Sequence, residues 1–509
     1  MSFPDGPRIV QERAHHPPMK RETLLIALAA AVAGNAEAQD YRIRVDARIQ
    51  SVSFRGLESD SVLASLVDST AGGFVSGDGH AVRCTGGTYC FFFRPGPALR
   101  GIPFATSASL AMWGFGVEGL SLRASGRLFR DLGGDDVWPA TEPAAQLMEG
   151  YAQYQRSSII ARAGRQLLSS RLEAMGFDGG WLRYRFDRLS LELTGYGGWG
   201  LGQAAVVGPN SPALNPLDEF RPRDRQLVAG AEGALLLSSV DLRAEYRREI
   251  DPEDDYFVSE RAALSFASTM MKNVRVNGGI DYNIAEGRAG TADLSAAYVA
   301  RRFSVSAGAR RYRPYFSLWT LWGAFSPVPY KAANVAAQVR ARDWLTLNTR
   351  AERYSYDEAE VSTALVPNLQ DEGWRVRFGA NAKIGTRATI DGSYGLERGP
   401  GASARSADAS VGFAATRTLS FDVYGGSLAR PLELRYYDAT SKWIGGRAQW
   451  QPSDQRRLWA DVSYVIDDRD RPDAAVPSLD QMRMRAGVSF TFGSGADRSP
   501  LPPAKPAMR

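Results

Sequence analysis

The chain has 509 residues, with 61 basic and 56 acidic side chains and a formal net charge of +5. This near balance and a mean hydropathy of −0.27 are typical of a chain exposed to water. The longest apolar run, 24–34, is too short for a transmembrane helix, which needs about 20 apolar residues. We therefore expect neither a helical membrane protein nor a nucleic-acid partner.

The N-terminal segment has the anatomy of a secretion signal. Lys20 and Arg21 precede the apolar stretch, and an Ala-Glu-Ala cleavage site ends at Ala38. We predict an N-terminal extension and signal peptide over 1–38, a transmembrane barrel over 39–492 and a Pro-rich periplasmic tail over 493–509. Met1 and Met19 are both open as the true start.

From Tyr41 onward, short segments alternate apolar and polar residues with a period of two. In 240–247, Val240 and Leu242 fall on one face while Asp241 and Arg243 fall on the other, and 274–283 follows the same pattern. Period-two alternation indicates strands with a different solvent on each face. The sequence predicts an all-β chain of about 22 such strands, within a range of 18–24.

The links between these segments alternate between long and short along the chain. Gly56–Pro103 is long, Gly116–Gly119 is short, and Asp131–Ala145 is long again. Outer-membrane barrels have short periplasmic turns and longer outer loops, whereas soluble sandwiches have no reason to sort their loops. The pattern favours one antiparallel up-and-down transmembrane β-barrel in a bacterial outer membrane, with both termini in the periplasm.

Cys84 and Cys90 are the two cysteines of the chain. After secretion they meet an oxidising compartment, where two cysteines this close in one loop favour a disulfide. A zinc site needs three or four ligands, and only His80 lies nearby. We predict the disulfide and no metal site or cofactor.

The polar face of the predicted strands is rich in arginine. One interpretation is a hydrated pore that mildly favours anions; the other is a wall stiffened by ion pairs between neighbouring strands. Both assign the following side chains to the lumen: Arg42, Arg44, Arg123, Arg127, Arg183, Arg243, Arg275, Arg310, Arg340, Arg375, Arg377, Arg447, Arg483, Asp241, Glu245, Asp281 and Asp391.

The last predicted strand carries the most specific motif, with Arg485, Gly487, Phe490 and Phe492 at defined spacing. This pattern resembles the C-terminal insertion signal of outer-membrane barrels, and the resemblance implies recognition by the barrel-assembly machinery. A shorter segment, Gly164-Arg165-Gln166, resembles part of the alginate-export and related porins. The chain as a whole is identified as porin-like.

A barrel of this size has a wide bore, which proteins usually fill with a plug. TonB-dependent receptors place a plug domain before the first strand, where this sequence has only Gln39 and Asp40. Two long loops are therefore candidates for filling the lumen: 56–103, with its Phe91-Phe92-Phe93 run, and 313–330. The aromatic residues of the second loop are Tyr315, Phe316, Trp319, Trp322 and Phe325.

A partner protein is the other candidate for the lumen. In architecture alone the chain resembles the barrel sheath of porin-cytochrome conduits, which implies a multihaem cytochrome as the partner. The leading hypothesis is a channel for small polar or anionic solutes; the alternative is such a sheath for electron transfer. We predict no enzyme activity, since general-base chemistry usually needs histidine. We also expect a monomer surrounded by outer-membrane lipid.

Overall fold

The computed structural model describes residues 40–70, 73–77, 81–84, 86–133, 145–201, 226–252, 258–313, 329–357, 372–399, 403–433, 437–470 and 479–493. Within these ranges, no helix is long and apolar enough to cross a membrane. Two short 3-10 turns, Ala64–Leu66 and Asp187–Leu189, interrupt an otherwise β structure. The predicted signal peptide, His80 and the tail from 494 lie outside the described residues. So do the predicted loop aromatics Tyr315, Phe316, Trp319, Trp322 and Phe325.

The described strands are numbered in chain order. The first thirteen are β1 (Asp40–Leu63), β2 (Val67–Thr70), β3 (Gly73–Ser76), β4 (Ala81–Cys84), β5 (Tyr89–Gly101), β6 (Pro103–Trp113), β7 (Leu120–Asp131), β8 (Ala145–Arg156), β9 (Ile159–Ser170), β10 (Glu173–Phe186), β11 (Leu191–Leu201), β12 (Leu227–Leu236) and β13 (Val240–Ile250). The others are β14 (Val258–Met271), β15 (Val274–Asn283), β16 (Arg288–Val299), β17 (Phe303–Tyr312), β18 (Tyr330–Arg342), β19 (Leu345–Tyr356), β20 (Glu372–Ile384), β21 (Ala388–Arg398), β22 (Ala404–Ala414), β23 (Leu419–Glu433), β24 (Tyr437–Ser453), β25 (Arg456–Asp470) and β26 (Leu479–Gly493).

Strand β1 and strands β6 to β26 form a closed antiparallel barrel of 22 strands. Closure comes from β1, which pairs with β6 on one side and with β26 on the other. This arrangement leaves no free sheet edge, as a membrane requires. We call the end where β1 begins and β26 ends the turn end, and the opposite end the loop end. The prediction of a single up-and-down barrel with 22 strands is confirmed.

The two faces of the wall differ as the alternation predicts. On β13, Leu242 and Tyr246 are 40% and 37% exposed on the outer face, whereas Arg247 is 4% exposed on the other. The polar face is the inner one, because its side chains meet across intervening strands: Arg310 of β17 binds Glu352 of β19 at 3.1 Å. The bilayer core admits only the apolar face.

The first long link is not an irregular loop. Strand β1 runs past the barrel and pairs with β5 from Val52 opposite Gly101 to Leu63 opposite Tyr89. The short strands β2, β3 and β4 complete this extension. Cys84 and Cys90 form the predicted disulfide across β4 and β5. The described part of the link thus continues the wall as a β-ribbon.

The second departure from the predicted strands concerns β9 and β10. The sequence pattern places strands at 157–166 and 180–187 with an outer link between them. In the structure β9 continues to Ser170 and β10 starts at Glu173, so the predicted link is a continuous hairpin. This hairpin is the element that enters the lumen.

Candidate functional site

The outer part of the β9–β10 hairpin leaves the barrel wall. Pairing of β9 with β8 ends at Arg165 opposite Gly150, and pairing of β10 with β11 reaches only to Gly176 opposite Leu201. The two strands of the hairpin nevertheless stay paired with each other as far as Ser170 opposite Glu173. Among the described strands, the backbone of residues 166–175 therefore pairs only within the hairpin, and we call this segment the lumen ribbon.

Glycines allow the ribbon to turn away from the wall. Gly164 has a φ of +125°, and a Cβ atom there would lie 2.3 Å from the carbonyl oxygen of Gly150. At Gly179 a Cβ would lie 2.1 Å from the carbonyl oxygen of Gly197 and 2.7 Å from the Cα of Gly198. Only glycine permits such approaches between neighbouring backbones. Both positions lie at the base of the ribbon, where the bend occurs.

Polar contacts hold the base of the ribbon. Arg165 donates two hydrogen bonds of 2.8 Å to the carboxylate of Asp178, one to each oxygen. Gln166 is buried and donates from Nε2 to the carbonyl oxygen of Gly179 at 3.1 Å. The Gly164-Arg165-Gln166 segment singled out in the sequence is thus the point where β9 departs from the wall.

An apolar cluster fixes the underside of the ribbon to the inner wall. Phe177 is fully buried, and with Met175 it packs against Val228 of β12. Its ring centre lies 5.7 Å from that of Tyr196 on β11. Truncation of a buried phenylalanine costs about 3–5 kcal/mol in a typical core. This is a hydrophobic core on a face that is otherwise polar, so the ribbon is packed against the wall.

The tip of the ribbon is clamped by arginines of the nearby inner wall, three and four strands beyond β10. Leu172 is fully buried, and its carbonyl oxygen accepts hydrogen bonds from Arg247 of β13 at 2.8 Å and Arg261 of β14 at 3.2 Å. Arg247 also donates to the carbonyl oxygen of Glu173 at 3.0 Å. Arg171 extends further, to the carbonyl oxygen of Thr291 and the carboxylate of Asp293 on β16.

Carboxylates surround the two clamping arginines. We call the set of Arg247, Arg261, Glu173, Glu249 and Asp281 the latch. Arg261 lies 3.7 Å from Asp281 and 3.8 Å from Glu173, while Arg247 lies 3.9 Å from Glu249. Charges taken out of water are stable only when paired, so removal of one partner typically costs about 3–5 kcal/mol. Of the described atoms, none pairs with the buried Nε of Arg247. The latch therefore combines paired buried charges with one unsatisfied donor, the Nε of Arg247.

Beside the ribbon base lies a cluster of arginine and aromatic side chains. The guanidinium carbon of Arg162 lies 4.7 Å from the ring centre of Trp181 and 5.3 Å from that of Tyr151. Arg183 lies 5.7 Å from Trp181, and Arg123 belongs to the neighbouring strand β7. Stacking keeps the positive charge of Arg162 on the lumen wall without neutralising it, and its Nε donates to the neutral side chain of Gln153. Arg162 and Trp181 were missed in the sequence because neither stands out from a strand pattern.

Several of the predicted lumen arginines are held in ion pairs. The buried Glu352 is contacted by Arg310 and Arg375 from two other strands. The remaining predicted arginines with a carboxylate partner pair as follows: Arg44 with Asp46, Arg183 with Glu192, Arg243 with Glu232 and Arg377 with Asp408. These contacts agree with the interpretation of a stiffened wall.

Other predicted lumen residues contact neutral groups or the ribbon. Arg127 donates to Gln146 and Arg483 to Gln481, whereas Arg447 stacks over Trp459. Glu245 and Asp281 belong to the latch region, and Asp391 accepts from Asn381. The strand register places Arg42, Arg275, Arg340 and Asp241 on the same face. That these side chains line a conducting path stays a prediction.

The predicted insertion motif lies on the strand that closes the barrel. Arg485 binds Asp461 of β25 at 2.7 Å, and Phe490 and Phe492 stack at 6.0 Å between ring centres. Gly487 leaves room for the indole of Trp459, since a Cβ there would lie 2.6 Å from that ring. The motif is thus compatible with strand closure, and its recognition by the assembly machinery stays a prediction.

Comparison with known proteins is informative about the fold. No protein-family model and no curated protein sequence matches the chain. Among solved structures, a ferric enterobactin receptor from Pseudomonas aeruginosa has a TM-score of 0.52 and 10% identity, over 88% of this chain and 81% of that one. The structure of Acinetobacter baumannii OccAB2 has a TM-score of 0.40 and 9% identity, over 90% of this chain and 99% of that one.

A third similar structure is OpdK of Pseudomonas aeruginosa with vanillate, with a TM-score of 0.40 and 12% identity over 90% of this chain and 99% of that one. These three neighbours are a receptor and two porins rather than enzymes, which agrees with the predicted porin-like barrel without enzyme activity. At such identities the likeness concerns the fold alone. The chain has the fold of the large β-barrels of the bacterial outer membrane.

Proposed function

We propose that the protein is a channel for small polar solutes with a preference for anions. The lumen ribbon constricts this channel. The loop end faces outward and the chain termini lie in the periplasm. The observation that carries this proposal is a packed and latched ribbon inside a polar barrel. An inward hairpin narrows the bore without closing the wall, and pore width together with lining charge determines what passes.

The arginine cluster at the ribbon base supports the anion preference. Arg162 and Arg183 are held over Trp181 by stacking, and of the two Arg183 is also paired with Glu192, so Arg162 carries most of the unbalanced charge beside the ribbon base. Ion pairs elsewhere on the wall balance much of the remaining charge. We therefore expect moderate rather than strict selectivity, set by this cluster.

The ribbon also argues against the sheath hypothesis. A barrel that encloses a cytochrome needs a bore wide enough for a folded protein. Here the ribbon crosses from β9 and β10 to β13, β14 and β16 inside the barrel. The described part of the lumen therefore favours small solutes over a protein partner.

The test is single-channel recording of the purified barrel in planar bilayers. Replacement of 166–175 by a short Gly-Ser turn should raise conductance at least about twofold, because the constriction is removed. Arg162→Gln should shift the reversal potential in a KCl gradient toward weaker anion preference. The control variant Arg377→Gln with Asp408→Asn removes an ion pair away from the ribbon base without changing the net charge of the lumen, and it should not shift that potential.

Absence of any conductance from the wild-type protein would overturn the channel proposal. Equal conductance with and without the ribbon would retain a channel but reject the ribbon as its constriction. A purified barrel that carries a stably bound haem protein would favour the sheath instead.

A further inference from the structure

The outer wall at the loop end of β17, β18 and β19 carries three cationic side chains in adjacent positions. Arg311 lies opposite Lys331 in the strand register. Arg353 lies two register positions further along β18, opposite Ala333, which is the next outward-facing pair. All three face outward, since the neighbouring residues Arg310 and Tyr354 face the lumen. Lys331 and Arg353 are 65% and 76% exposed. They form a row where the wall leaves the apolar zone.

A shallow groove runs from this row toward the middle of the wall. It has a volume of 610 Å³, and its outer-facing floor consists of Ala292, Ala309 and Ala333 with Leu294 at one side. Ala309 lies directly opposite Ala333, so two adjacent strands lack side-chain bulk at one level. On the other side Trp374 lies opposite Arg353. We call this groove the alanine furrow.

The acidic residues nearby orient the cations without cancelling them. Asp357 accepts from Arg311 at 3.0 Å and from Lys331 at 3.1 Å, and Arg353 pairs with Glu372. The hydrogen bond from Lys331 holds the pKa of Asp357, which follows the last residue of β19, below its ordinary value. Among the described residues, three cations thus share two carboxylates, which leaves a local positive excess beside an apolar furrow.

A cationic row above an apolar furrow matches one class of ligand, an amphiphile with an anionic head and an acyl chain. Basic side chains near a membrane surface each contribute about 1 kcal/mol to the attraction of anionic lipid. A free phosphate ion would bind the cations but would make no contact with the apolar furrow. In an outer membrane the leaflet at the loop end contains lipopolysaccharide, whose lipid A has phosphate groups directly above its acyl chains.

The structure therefore points to a lipopolysaccharide site on the outer wall, with a lipid A phosphate at Arg311, Lys331 and Arg353 and an acyl chain along the alanine furrow. The inference uses the outward orientation of the loop end from the proposed function. It does not depend on conduction, so a barrel that fails to conduct can still bind the lipid.

The test measures lipid binding to barrel refolded in lipopolysaccharide-free detergent. Deep-rough lipopolysaccharide, phosphatidylglycerol and inorganic phosphate are titrated in turn, with bound lipid counted by native mass spectrometry. The triple variant Arg311→Gln, Lys331→Gln, Arg353→Gln should bind lipopolysaccharide at least about tenfold more weakly. A matched triple variant with exposed residues of the turn end, Lys272→Gln, Arg301→Gln and Arg456→Gln, should bind within about twofold of wild type.

A second variant protects the test against misfolding of the first. Ala333→Trp keeps all three cations but fills the furrow, and it should weaken lipopolysaccharide binding while inorganic phosphate competes no better than before. Equal lipopolysaccharide binding by both triple variants would overturn the site. Equally tight phosphatidylglycerol binding, or complete displacement by inorganic phosphate, would overturn the choice of ligand.

Discussion

Two hairpins of this barrel extend beyond their neighbours, and they take opposite paths. The β1–β5 ribbon continues the wall through eleven register pairs, from Val52 to Leu63, with one shift after Arg55. The lumen ribbon of β9 and β10 instead turns inward after Arg165 and ends on β13, β14 and β16. Similar local pairing thus leads to a wall extension in one case and to a constriction in the other.

The two ribbons differ in the contacts that they make with residues outside the ribbon itself. The first ribbon is tied to itself by the disulfide, and Tyr89 and Phe91 on it remain exposed. The lumen ribbon has glycines at its base, the buried Phe177 beneath it and two arginines at its tip. Lateral anchors, rather than strand length, therefore decide whether a hairpin of a large barrel enters the bore.

The largest expected effect comes from opening the latch. Arg247→Ala with Arg261→Ala removes both donors to the Leu172 carbonyl and leaves Glu249 and Asp281 without their buried partners, at a cost of about 3–5 kcal/mol. The ribbon should then leave the wall, which raises single-channel conductance toward that of the ribbon-deleted protein. Arg377→Ala, a partly exposed lumen arginine, serves as the control. Unchanged conductance in the double variant would show that the tip is held by other contacts.

The second-largest effect is expected from a steric clash at Gly179, where the ribbon bends away from the wall. Gly179→Ala places a Cβ 2.1 Å from a backbone oxygen of β11, whereas the neighbouring Gly180→Ala meets nothing within 4 Å. Overpacking of this kind costs about 1–3 kcal/mol. Denaturant unfolding of the two variants in detergent measures the difference. If Gly180→Ala is as destabilising as Gly179→Ala, the close approach at Gly179 is not what the bend requires.

The disulfide should have a smaller and more local effect. Closure of so short a loop contributes about 2 kcal/mol in the chain-entropy model. In Cys84→Ser with Cys90→Ser we expect faster proteolysis within 56–103 but unchanged denaturant unfolding of the barrel, because both sulfurs belong to the extension. Loss of barrel stability in this variant would mean that the first ribbon, like the second, is anchored to the wall.

The weakest anchor of the lumen ribbon should be the ion pair at its base. Arg165 and Asp178 are 28% and 32% exposed, so solvent screens much of their attraction. A double-mutant cycle with Arg165→Gln and Asp178→Asn should give a coupling of about 1 kcal/mol, as for exposed pairs with good geometry. A coupling of about 3–5 kcal/mol, the cost expected for removal of a latch partner, would show that the pair is less accessible to water than its exposure indicates.

Most of the barrel was predictable because each strand encodes its two faces locally. The segment 272–283, for example, was predicted as a strand and is observed as Val274–Asn283. Strand β23 runs from Leu419 to Glu433, although clear alternation supports a strand only over 418–427. Alternation is a property of neighbours in sequence, so it needs no knowledge of the rest of the chain.

The lumen ribbon was not predictable in the same way. The glycines at its base, Gly164, Gly176, Gly179 and Gly180, break the alternation, so the sequence pattern indicates a link from 167 to 179. Leu168, Met175 and Phe177 were a signal, because an outer loop has no reason to be apolar, but they do not specify a direction. The partners that hold the tip, Arg247 and Arg261, lie about 75 and 90 residues away in the chain.

The sequence by itself determined the barrel, its strand number and the disulfide, because period-two patterning, link lengths and cysteine spacing are local properties. Only the tertiary structure decided which hairpin enters the bore and where the outer cations meet a furrow. Both features arise between segments distant in sequence, where glycines permit a backbone approach and buried charges find partners on other strands. Closure of the wall creates these contacts, and no single strand carries them.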